Sequence, residues 1–329
     1  MSNFSGAGSD TARKDETNSM KIRHSIIGVT CGLAALIVAA AALVAPHKAH
    51  AAKPAGKKIL VVTVTKGFHH NVIPMAERTI EEIGKTTGEW DTDFVRTDDE
   101  MQTKMTAEAL KQYDAVVFAN TTGDLPLPDP KAFYDYIKAG HGFAAMHSGS
   151  DTLHSKDGKV SDYADMLGGE FETHHQRCII TPTIEDPNDP ATRPLIAAGK
   201  HPPNPLPSQH EIETGHSYVS GNVWTVFDEI YILKNNDRTK VHVLLSTNTY
   251  PNDGSPDANK PGNHLVSWTK SYGAGRVFYT ILGHTPDDPV NGVGMWTDPL
   301  YKAHIKGGLE FALGLKHGSR KLSGPAPAL

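Results

Sequence analysis

The sequence contains very little cysteine, with two residues in a chain of 329. Cys31 lies in an apolar N-terminal segment, and Cys178 is the one cysteine beyond it. A single thiol in the body of the chain excludes an internal disulfide and any metal site built on a pair of cysteines. Because Cys178 lies in a short apolar run typical of a strand, we interpret it as a buried structural thiol.

The sequence also lacks an excess of positive charge. Its 32 Lys and Arg residues are outnumbered by 37 Asp and Glu residues, and the formal net charge is −5. A chain without a cationic surplus is poorly suited to neutralise phosphates, so we expect no nucleic acid partner. Histidine is abundant, with 18 residues, although abundance alone assigns no role to any of them.

The chain lacks the nucleophile motifs that one of its strand ends first suggests. Ser148 follows a predicted strand, but the G-x-S-x-G elbow requires glycine where Met146 and Ser150 stand. Class I glutaminases place a cysteine at this apex, whereas His147 is the first residue past the strand here. We therefore favour a turn or helix-capping hydroxyl over a nucleophile for Ser148, and we do not expect a glutaminase.

Residues 1–51 predict an export signal. A short basic stretch at 20–24 precedes an uncharged apolar segment at 26–45, and Ala49-His50-Ala51 forms a small-x-small cleavage pattern. The alternative is an uncleaved anchor, because about 20 apolar residues suffice to span a bilayer. Both interpretations place the rest of the chain outside the cytoplasm, either periplasmic or secreted, or held at the membrane by 26–45.

After a linker at 52–57, the pattern predicts one α/β domain over 58–315. Continuous apolar runs are typical of strands buried on both faces, and helical periodicity separates them. This alternation implies a mostly parallel sheet with right-handed crossovers. The predicted strands are 58–65, 91–96, 114–120, 143–147 and 177–184, and the predicted helices are 72–88, 105–112, 129–139 and 161–167.

The second half of the domain is less regular. Residues 185–222 are rich in Pro, Asn, Asp and Gly, and we interpret them as an elaborated loop region. Four later strands are predicted, of which the last three form a late β extension, and a closing helix precedes a disordered tail at 316–329. The predicted strands are 229–234, 241–247, 264–269 and 276–281, and the predicted helix is 300–313.

Histidines follow three of the predicted strand ends. His70, His147 and His284 each lie close to a glycine at such an end. Because ligands of open parallel sheets bind beyond the carboxyl ends of the strands, we expect one pocket there. Asn120 and Thr122 follow another strand of the same sheet, and we predict that they contribute to substrate binding together with His70.

His147 is the candidate at the centre of this pocket. An imidazole titrates near neutral pH, so His147 could act as general base or metal ligand, or it could be a histidine packed at a strand end. We predict that His284 and Asp151 share its catalytic role, although Asp151 could also be a helix cap. Trp268 could stack on a sugar or belong to the core, and Arg276 could bind substrate or form a surface salt bridge.

Several segments match one known family in order along the chain: KGFHH at 66–70, YDAVVF at 113–118, GHGF at 140–143, LGGEF at 167–171 with His174, DEIY at 228–231, and YGAGRVFY at 272–279 running into LGH at 282–284. Over about 58–314 the chain therefore resembles the ThuA-like, or trehalose utilisation, family. The resemblance implies a class I glutamine amidotransferase-like, flavodoxin-like α/β fold with helices on both faces of the sheet and without the glutaminase cysteine. It also implies a role in carbohydrate utilisation, including oxidised (3-keto) sugars.

The recurrent histidines of the family match His70, His147, His174 and His284 of this sequence. His69 stands beside His70 and His175 beside His174, so the register of each pair stays open. Histidine and carboxylate side chains from separate loops suit Zn²⁺ or a similar divalent metal, and these four histidines are the predicted ligands. No H-E-x-x-H motif is present, and no nucleotide cofactor is predicted.

Two functions are compatible with these features. The first is an exported enzyme that acts on a small carbohydrate by histidine acid/base chemistry, with or without a divalent metal, as a sugar isomerase, lyase or hydrolase. The second is a non-catalytic carbohydrate-binding module on an amidotransferase-like scaffold. Fold alone does not choose between them.

Overall fold

The computed structural model describes residues 56–288 and 290–326. The predicted export signal with its apolar segment at 26–45, the linker as far as residue 55, and the last three residues of the chain lie outside these ranges. In the described ranges, every helix is too short or too polar to cross a membrane.

The first half of the domain is a parallel sheet, as the apolar runs predict. Its strands pair in the order β2-β1-β3-β4 with all neighbours parallel. Every residue of β3 and β4 is buried, because helices and loops cover the sheet on both sides. The strands are Lys57–Val62 (β1), Trp90–Val95 (β2), Ala115–Ala119 (β3) and Gly142–Met146 (β4).

Helices connect these strands, and local sequence signals set their ends. The first helix has Pro74 in its first turn, buries Ala76 and Ile80, and ends where Gly88 adopts a left-handed backbone with φ of 63°. The helices are Ile73–Thr87 (α1), Asp98–Lys104 (α2), Ala107–Leu110 (α3), Pro130–Lys138 (α4), Asp162–Leu167 (α5), Arg193–Gly199 (α6), Gln209–Glu213 (α7) and Pro299–Ala312 (α8).

The second half of the domain is antiparallel and contains the predicted late β extension. Its strands are Glu170–His174 (β5), Cys178–Ile180 (β6), Thr183–Ile184 (β7), Tyr218–Ser220 (β8), Val223–Asp228 (β9), Tyr231–Lys234 (β10), His242–Thr249 (β11), Pro261–Tyr272 (β12) and Gly275–Thr280 (β13). Strand β13 joins the two halves, because it pairs in parallel with β4 and antiparallel with β12. The sheet then continues through β11, β7, β9 and β6, while β5 and β10 form a separate two-stranded sheet.

Three predictions need correction here. The predicted strand at 177–184 is two strands, β6 and β7, interrupted around Pro182, and both pair antiparallel with β9. The predicted loop at 185–222 contains α6, α7 and β8. Residues 316–326, for which the sequence predicts disorder, pack beside β11: Ser323 N donates a 2.9 Å hydrogen bond to Val241 O, and His242 Nδ1 lies 2.7 Å from Lys321 O.

Candidate functional site

Three histidines meet at the carboxyl ends of the parallel strands. His70 lies between β1 and α1, His147 begins a short 3-10 turn directly after β4, and His284 follows β13. Because β1, β4 and β13 run in the same direction, their ends lie on one edge of the sheet. The structure therefore brings together the three side chains on which the sequence-based pocket depends.

The ring nitrogens of these histidines converge on one point. His147 Nε2 lies 3.2 Å from His70 Nε2 and 3.2 Å from His284 Nδ1. One nitrogen from each residue can be chosen so that all three lie within 4.8 Å of one another. Within residues 56–288 and 290–326, these three histidines are a set of side chains that could hold a metal ion.

The backbone after β4 is shaped to direct His147 into this cluster. His147 has a left-handed φ of 50°, a conformation that is costly for a residue with a side chain. Gly149 allows the turn to lie close to the sheet, since a Cβ there would be 2.8 Å from Ala145 Cβ and 3.0 Å from Phe118 O. Tyr279 Oη then donates a 2.8 Å hydrogen bond to His147 O and fixes the turn.

A second hydrogen bond sets the tautomer of His147. Its Nδ1 lies 2.8 Å from the carbonyl oxygen of Ile281, which can only accept, so Nδ1 carries the proton. Nε2 is then left with a lone pair that faces His70 and His284. Tyr231 Oη lies 2.8 Å from the same Nε2 and donates to it.

Burial controls the charge of the cluster. Burial, with the neighbouring His70 and His284, lowers the pKa of His147 well below its ordinary value. Burial and the proximity of His284 also lower the pKa of His70 to about 3. For His284 burial acts in the same direction, but the hydrogen bond to Glu229 outweighs it and raises the pKa. At neutral pH, His70 and His147 are therefore neutral imidazoles.

Glu229, between β9 and β10, brings a carboxylate to the histidine cluster. Its Oε2 lies 3.4 Å from His284 Nδ1 and 3.7 Å from His147 Nε2, and its Oε1 lies 2.9 Å from His174 Nδ1. Neither Glu229 nor Tyr231 is among the site residues predicted from the sequence. Both belong to DEIY, a segment of the family resemblance, and that match is the signal that could have identified them.

The turn that carries His284 is held by two buried polar side chains. Asp228 Oδ2 accepts a 2.6 Å hydrogen bond from Gly283 N, and its Oδ1 accepts a 3.1 Å bond from His284 N. Asn120 Nδ2 donates a 3.1 Å hydrogen bond to Gly283 O. Burial raises the pKa of Asp228 to about 6. Asn120, predicted as a substrate-binding residue, is fully buried and supports the His284 turn.

A cavity of about 390 Å³ opens beside the histidine cluster. Its volume falls within the range of small-molecule sites, which begins at about 300 Å³. Asp151 and His174, both predicted from the sequence as site residues, lie in its wall. The full lining is Phe68, His70, Asp151, Phe171, His174, Glu229, Tyr231 and His284.

Three predicted substrate-binding residues lie away from this cavity. Trp268 is fully buried in the core, where its Nε1 donates a 2.7 Å hydrogen bond to Leu167 O. Arg276 lies near the start of β13, at the opposite end of the strand from His284, and its Nε donates to Ala312 O. Thr122 Oγ1 donates a 2.8 Å bond to Phe68 O, so it supports the loop that carries Phe68.

Known proteins agree with this architecture. The family model described as "ThuA: Trehalose utilisation" matches residues 58–312. A ThuA-like protein from Parabacteroides merdae has a similar structure, with a TM-score of 0.58, 15% identity and coverage of 83% of this chain and 93% of its own. A ThuA-like protein from Bacteroides uniformis has a TM-score of 0.54 and 18% identity, with coverage of 79% of this chain and 93% of its own. These identities show the fold alone, and no curated protein matches the sequence.

Proposed function

The chain belongs to the ThuA (trehalose utilisation) family, and from this premise we propose that it is an enzyme acting on a sugar or 3-keto sugar derivative. The carrying observation is the convergence of His70, His147 and His284 beside a cavity that also contains Glu229. A converging cluster of nitrogen donors next to a proton-accepting carboxylate is the equipment of an active site. The N-terminal signal pattern supports the further proposal that the enzyme works outside the cytoplasm.

We propose that the histidine cluster holds a divalent metal ion such as Zn²⁺. Two imidazole nitrogens bound to one tetrahedral Zn²⁺ at about 2.0–2.1 Å lie about 3.3 Å apart. His147 Nε2 lies 3.2 Å from each of its two partner nitrogens, so two of the three nitrogen pairs fit this spacing. The proton on His147 Nδ1 is already engaged by Ile281 O, as is usual for a ligating histidine.

The donor set supports a catalytic rather than a structural metal site. Three histidines leave a fourth position for water or substrate, whereas structural zinc sites are closed by four protein ligands. His284 lines the cavity, so the cluster is accessible from it. A cation bound there would supply a Lewis acid beside the substrate. His174 lies next to Glu229 and contacts the cluster through that carboxylate, so it is the least direct of the four predicted ligands.

Glu229 and Tyr231 are the residues that can move or hold a proton. The Glu229 carboxylate lies in the cavity wall and can accept a proton from a substrate carbon or hydroxyl. If His147 Nε2 binds a metal, its lone pair no longer accepts a hydrogen bond from Tyr231. The Tyr231 hydroxyl can then donate to an oxygen that gains negative charge next to the cluster. Isomerisation, hydrolysis or elimination next to a sugar carbonyl all require such a base and such a donor.

The lining of the cavity favours a sugar as ligand. Phe68 and Phe171 offer apolar ring surfaces, and the Asp151 and Glu229 carboxylates accept hydrogen bonds from hydroxyl groups. A pyranose presents both kinds of surface. The same lining could also serve a carbohydrate-binding module, which is why turnover decides between the two functions.

Metal analysis and turnover together test this proposal. The purified wild type should contain one divalent ion per chain and should convert glucosides or 3-keto glucosides. His147→Ala and His284→Ala should lose both the ion and the turnover, whereas His201→Ala, at an exposed histidine, should keep both. Sugar binding without turnover would favour the binding module. Turnover of sugars by a metal-free wild type would show that the activity does not require a metal.

A further inference from the structure

Behind one wall of the cavity, three ionisable side chains form a chain of hydrogen bonds. Asp151 lines the cavity, and its Oδ1 lies 2.9 Å from His154 Nε2. The other nitrogen of that imidazole, Nδ1, lies 3.1 Å from Glu170 Oε1. A carboxylate oxygen accepts hydrogen bonds, so both ring nitrogens of His154 act as donors and the ring is an imidazolium. None of the functions assigned above uses His154 or Glu170.

Glu170 is the fixed end of this chain. Its side chain is 1% exposed at the start of β5. It accepts hydrogen bonds from Ser155 N at 3.0 Å, from Ser155 Oγ, and from Asn235 Nδ2 at 3.1 Å, and Lys234 Nζ lies 3.3 Å away. Burial alone would raise its pKa, but the hydrogen bonds from Ser155 and His154 lower it to about 2. Glu170 is therefore ionised and holds His154 in one orientation.

Asp151 is the end of the chain that a ligand can reach. His154 engages Oδ1, and no side chain of the described residues donates a hydrogen bond to Oδ2. Asp151 follows the 3-10 turn that begins with His147, so its free oxygen belongs to the same edge of the sheet as the histidine cluster. An ionised carboxylate accepts hydrogen bonds only, so its complement is a donor such as a sugar hydroxyl.

We propose that Asp151 is the hydroxyl-recognition residue of the cavity, and that His154 and Glu170 are positioning residues that hold its carboxylate toward the ligand. The proposal rests on the proposed sugar-directed function and names the substrate class as a sugar with a free hydroxyl near the reacting carbon. Charge-assisted hydrogen bonds from ligand hydroxyl groups to a fixed carboxylate acceptor give orientation as well as affinity. The role of Asp151 is therefore recognition, and proton transfer is left to Glu229.

The charge arrangement can be tested without any substrate. Nuclear magnetic resonance of ring-labelled histidine should show that His154 keeps its second proton above the ordinary pKa of 6.5, because the hydrogen bond to Asp151 raises that pKa. Asp151→Asn and Glu170→Gln should each lower the pKa of His154. Asp186→Asn is the matched control, since Asp186 pairs with His242 at 2.8 Å in the same way outside the cavity lining. A His154 that titrates at its ordinary value in the wild type would overturn the arrangement.

Ligand recognition is tested by calorimetric titration with methyl α-glucoside and methyl 3-keto-α-glucoside. Asp151→Asn should weaken binding about tenfold or more, because it replaces a charged acceptor with a neutral one. His154→Ala should weaken binding less, and His154→Gln, which still donates to Asp151, should recover part of the loss. If His154 had only a structural role, His154→Ala and His154→Gln would weaken binding equally.

Two outcomes distinguish this proposal from the proposed function. If the wild type binds the glucosides and Asp151→Asn binds them equally well, recognition by Asp151 is wrong and the sugar-directed function stands. If the wild type binds neither glucoside, hydroxyl recognition fails together with the sugar-directed function. Thermal unfolding of each variant, compared with Asp186→Asn, identifies any loss of binding that comes from a damaged fold.

Discussion

The parallel and antiparallel halves of the sheet bring different chemistry to one cavity. The parallel half supplies His70 and His147, whose burial keeps them neutral. The antiparallel half supplies the carboxylate of Glu229 and the phenol of Tyr231, while His284 comes from the end of the strand that joins the halves. Neither half therefore has a complete site, and the junction between β4 and β13 creates it.

The two halves also differ in what they bury. Strands β3 and β4 consist of fully buried apolar residues apart from Gly142. The antiparallel half contains partly buried ion pairs, such as that of Glu185, which accepts hydrogen bonds from Arg238 Nη1 at 3.2 Å and Nη2 at 2.7 Å. The stability that comes from apolar burial does not depend on pH, whereas that of an ion pair depends on the charge of both partners. The two halves should therefore respond differently to mutation and to acid.

Removing the charge of Glu229 should have the largest effect, because it removes the base supplied by the antiparallel half and leaves the histidines of the parallel half in place. Glu229→Gln keeps the size of the side chain but removes the proton acceptor, so turnover should fall by about 10²- to 10⁴-fold. The histidine ligands remain in place, so the metal content should stay close to that of the wild type. Steady-state kinetics and metal analysis of the same preparation check this prediction.

Glu108→Gln is the matched control for Glu229→Gln. Its side chain is 84% exposed and pairs only with Lys111 on the surface, so neither turnover nor metal content should change. Unchanged turnover in Glu229→Gln would show that the antiparallel half contributes no base.

Weakening the hydrogen bonds that Asp228 accepts from the His284 turn should have the next largest effect. In the wild type, the backbone amides of Gly283 and His284 donate to separate oxygens of Asp228. Asp228→Asn leaves one acceptor oxygen for both amides. The lost hydrogen bond should destabilise the protein by about 2 kcal/mol and lower its affinity for the metal. Chemical denaturation and metal titration measure the two effects.

Asp298→Asn provides the comparison for this variant. Asp298 Oδ1 accepts hydrogen bonds from Leu300 N and Tyr301 N at the start of α8, and its Oδ2 accepts one from Ser217 N. The substitution leaves one acceptor oxygen for both sets of donors, so it should cost similar stability. Asp298→Asn should leave metal affinity unchanged, because the His284 turn keeps both hydrogen bonds to Asp228. Equal losses of metal affinity in both variants would mean that Asp228 acts only through general stability.

Acid should destabilise the antiparallel half through Glu185, with the smallest expected effect. Burial would raise the pKa of Glu185, but the hydrogen bonds from Arg238 and Ser246 outweigh it and lower the pKa below its ordinary value of 4.5. A lowered folded-state pKa gives stability that is present above 4.5 and is lost as the pH falls below it. Glu185→Gln should therefore be less stable than the wild type at neutral pH by about 1 kcal/mol.

The same difference should shrink as the pH falls. Denaturation at neutral pH and near pH 3 measures it, and Glu108→Gln, with its exposed carboxylate, should match the wild type at both. A difference between Glu185→Gln and the wild type that is constant across this range would show that the ion pair does not contribute.

The parallel half was predictable from the sequence because its signals are local. The apolar runs that became β1, β3 and β4 need no knowledge of their partners. Helix α2 was missed because Met101 is its single buried residue, so it carries almost no apolar periodicity. Its start is set by Thr97, whose side chain accepts a hydrogen bond from Glu100 N.

The antiparallel half was less predictable because its structure depends on distant pairings. Strand β9 was not predicted at all, and a strand was placed at 229–234 where β10 begins only at Tyr231. The break between these strands presents Glu229 to the cavity. The same division holds in the site: the rule for strand ends identified His70, His147 and His284, whereas Glu229 and Tyr231 required the fold.

Anomalous X-ray diffraction from crystals of the metal-loaded protein shows whether the junction of the two halves holds a metal ion. We expect one peak bounded by His70 Nε2, His147 Nε2 and His284 Nδ1, at about 2.0–2.1 Å from each nitrogen if the ion is Zn²⁺. A map without a peak there, at saturating metal and with the three imidazoles still in mutual contact, would mean that the histidine cluster is not a metal site.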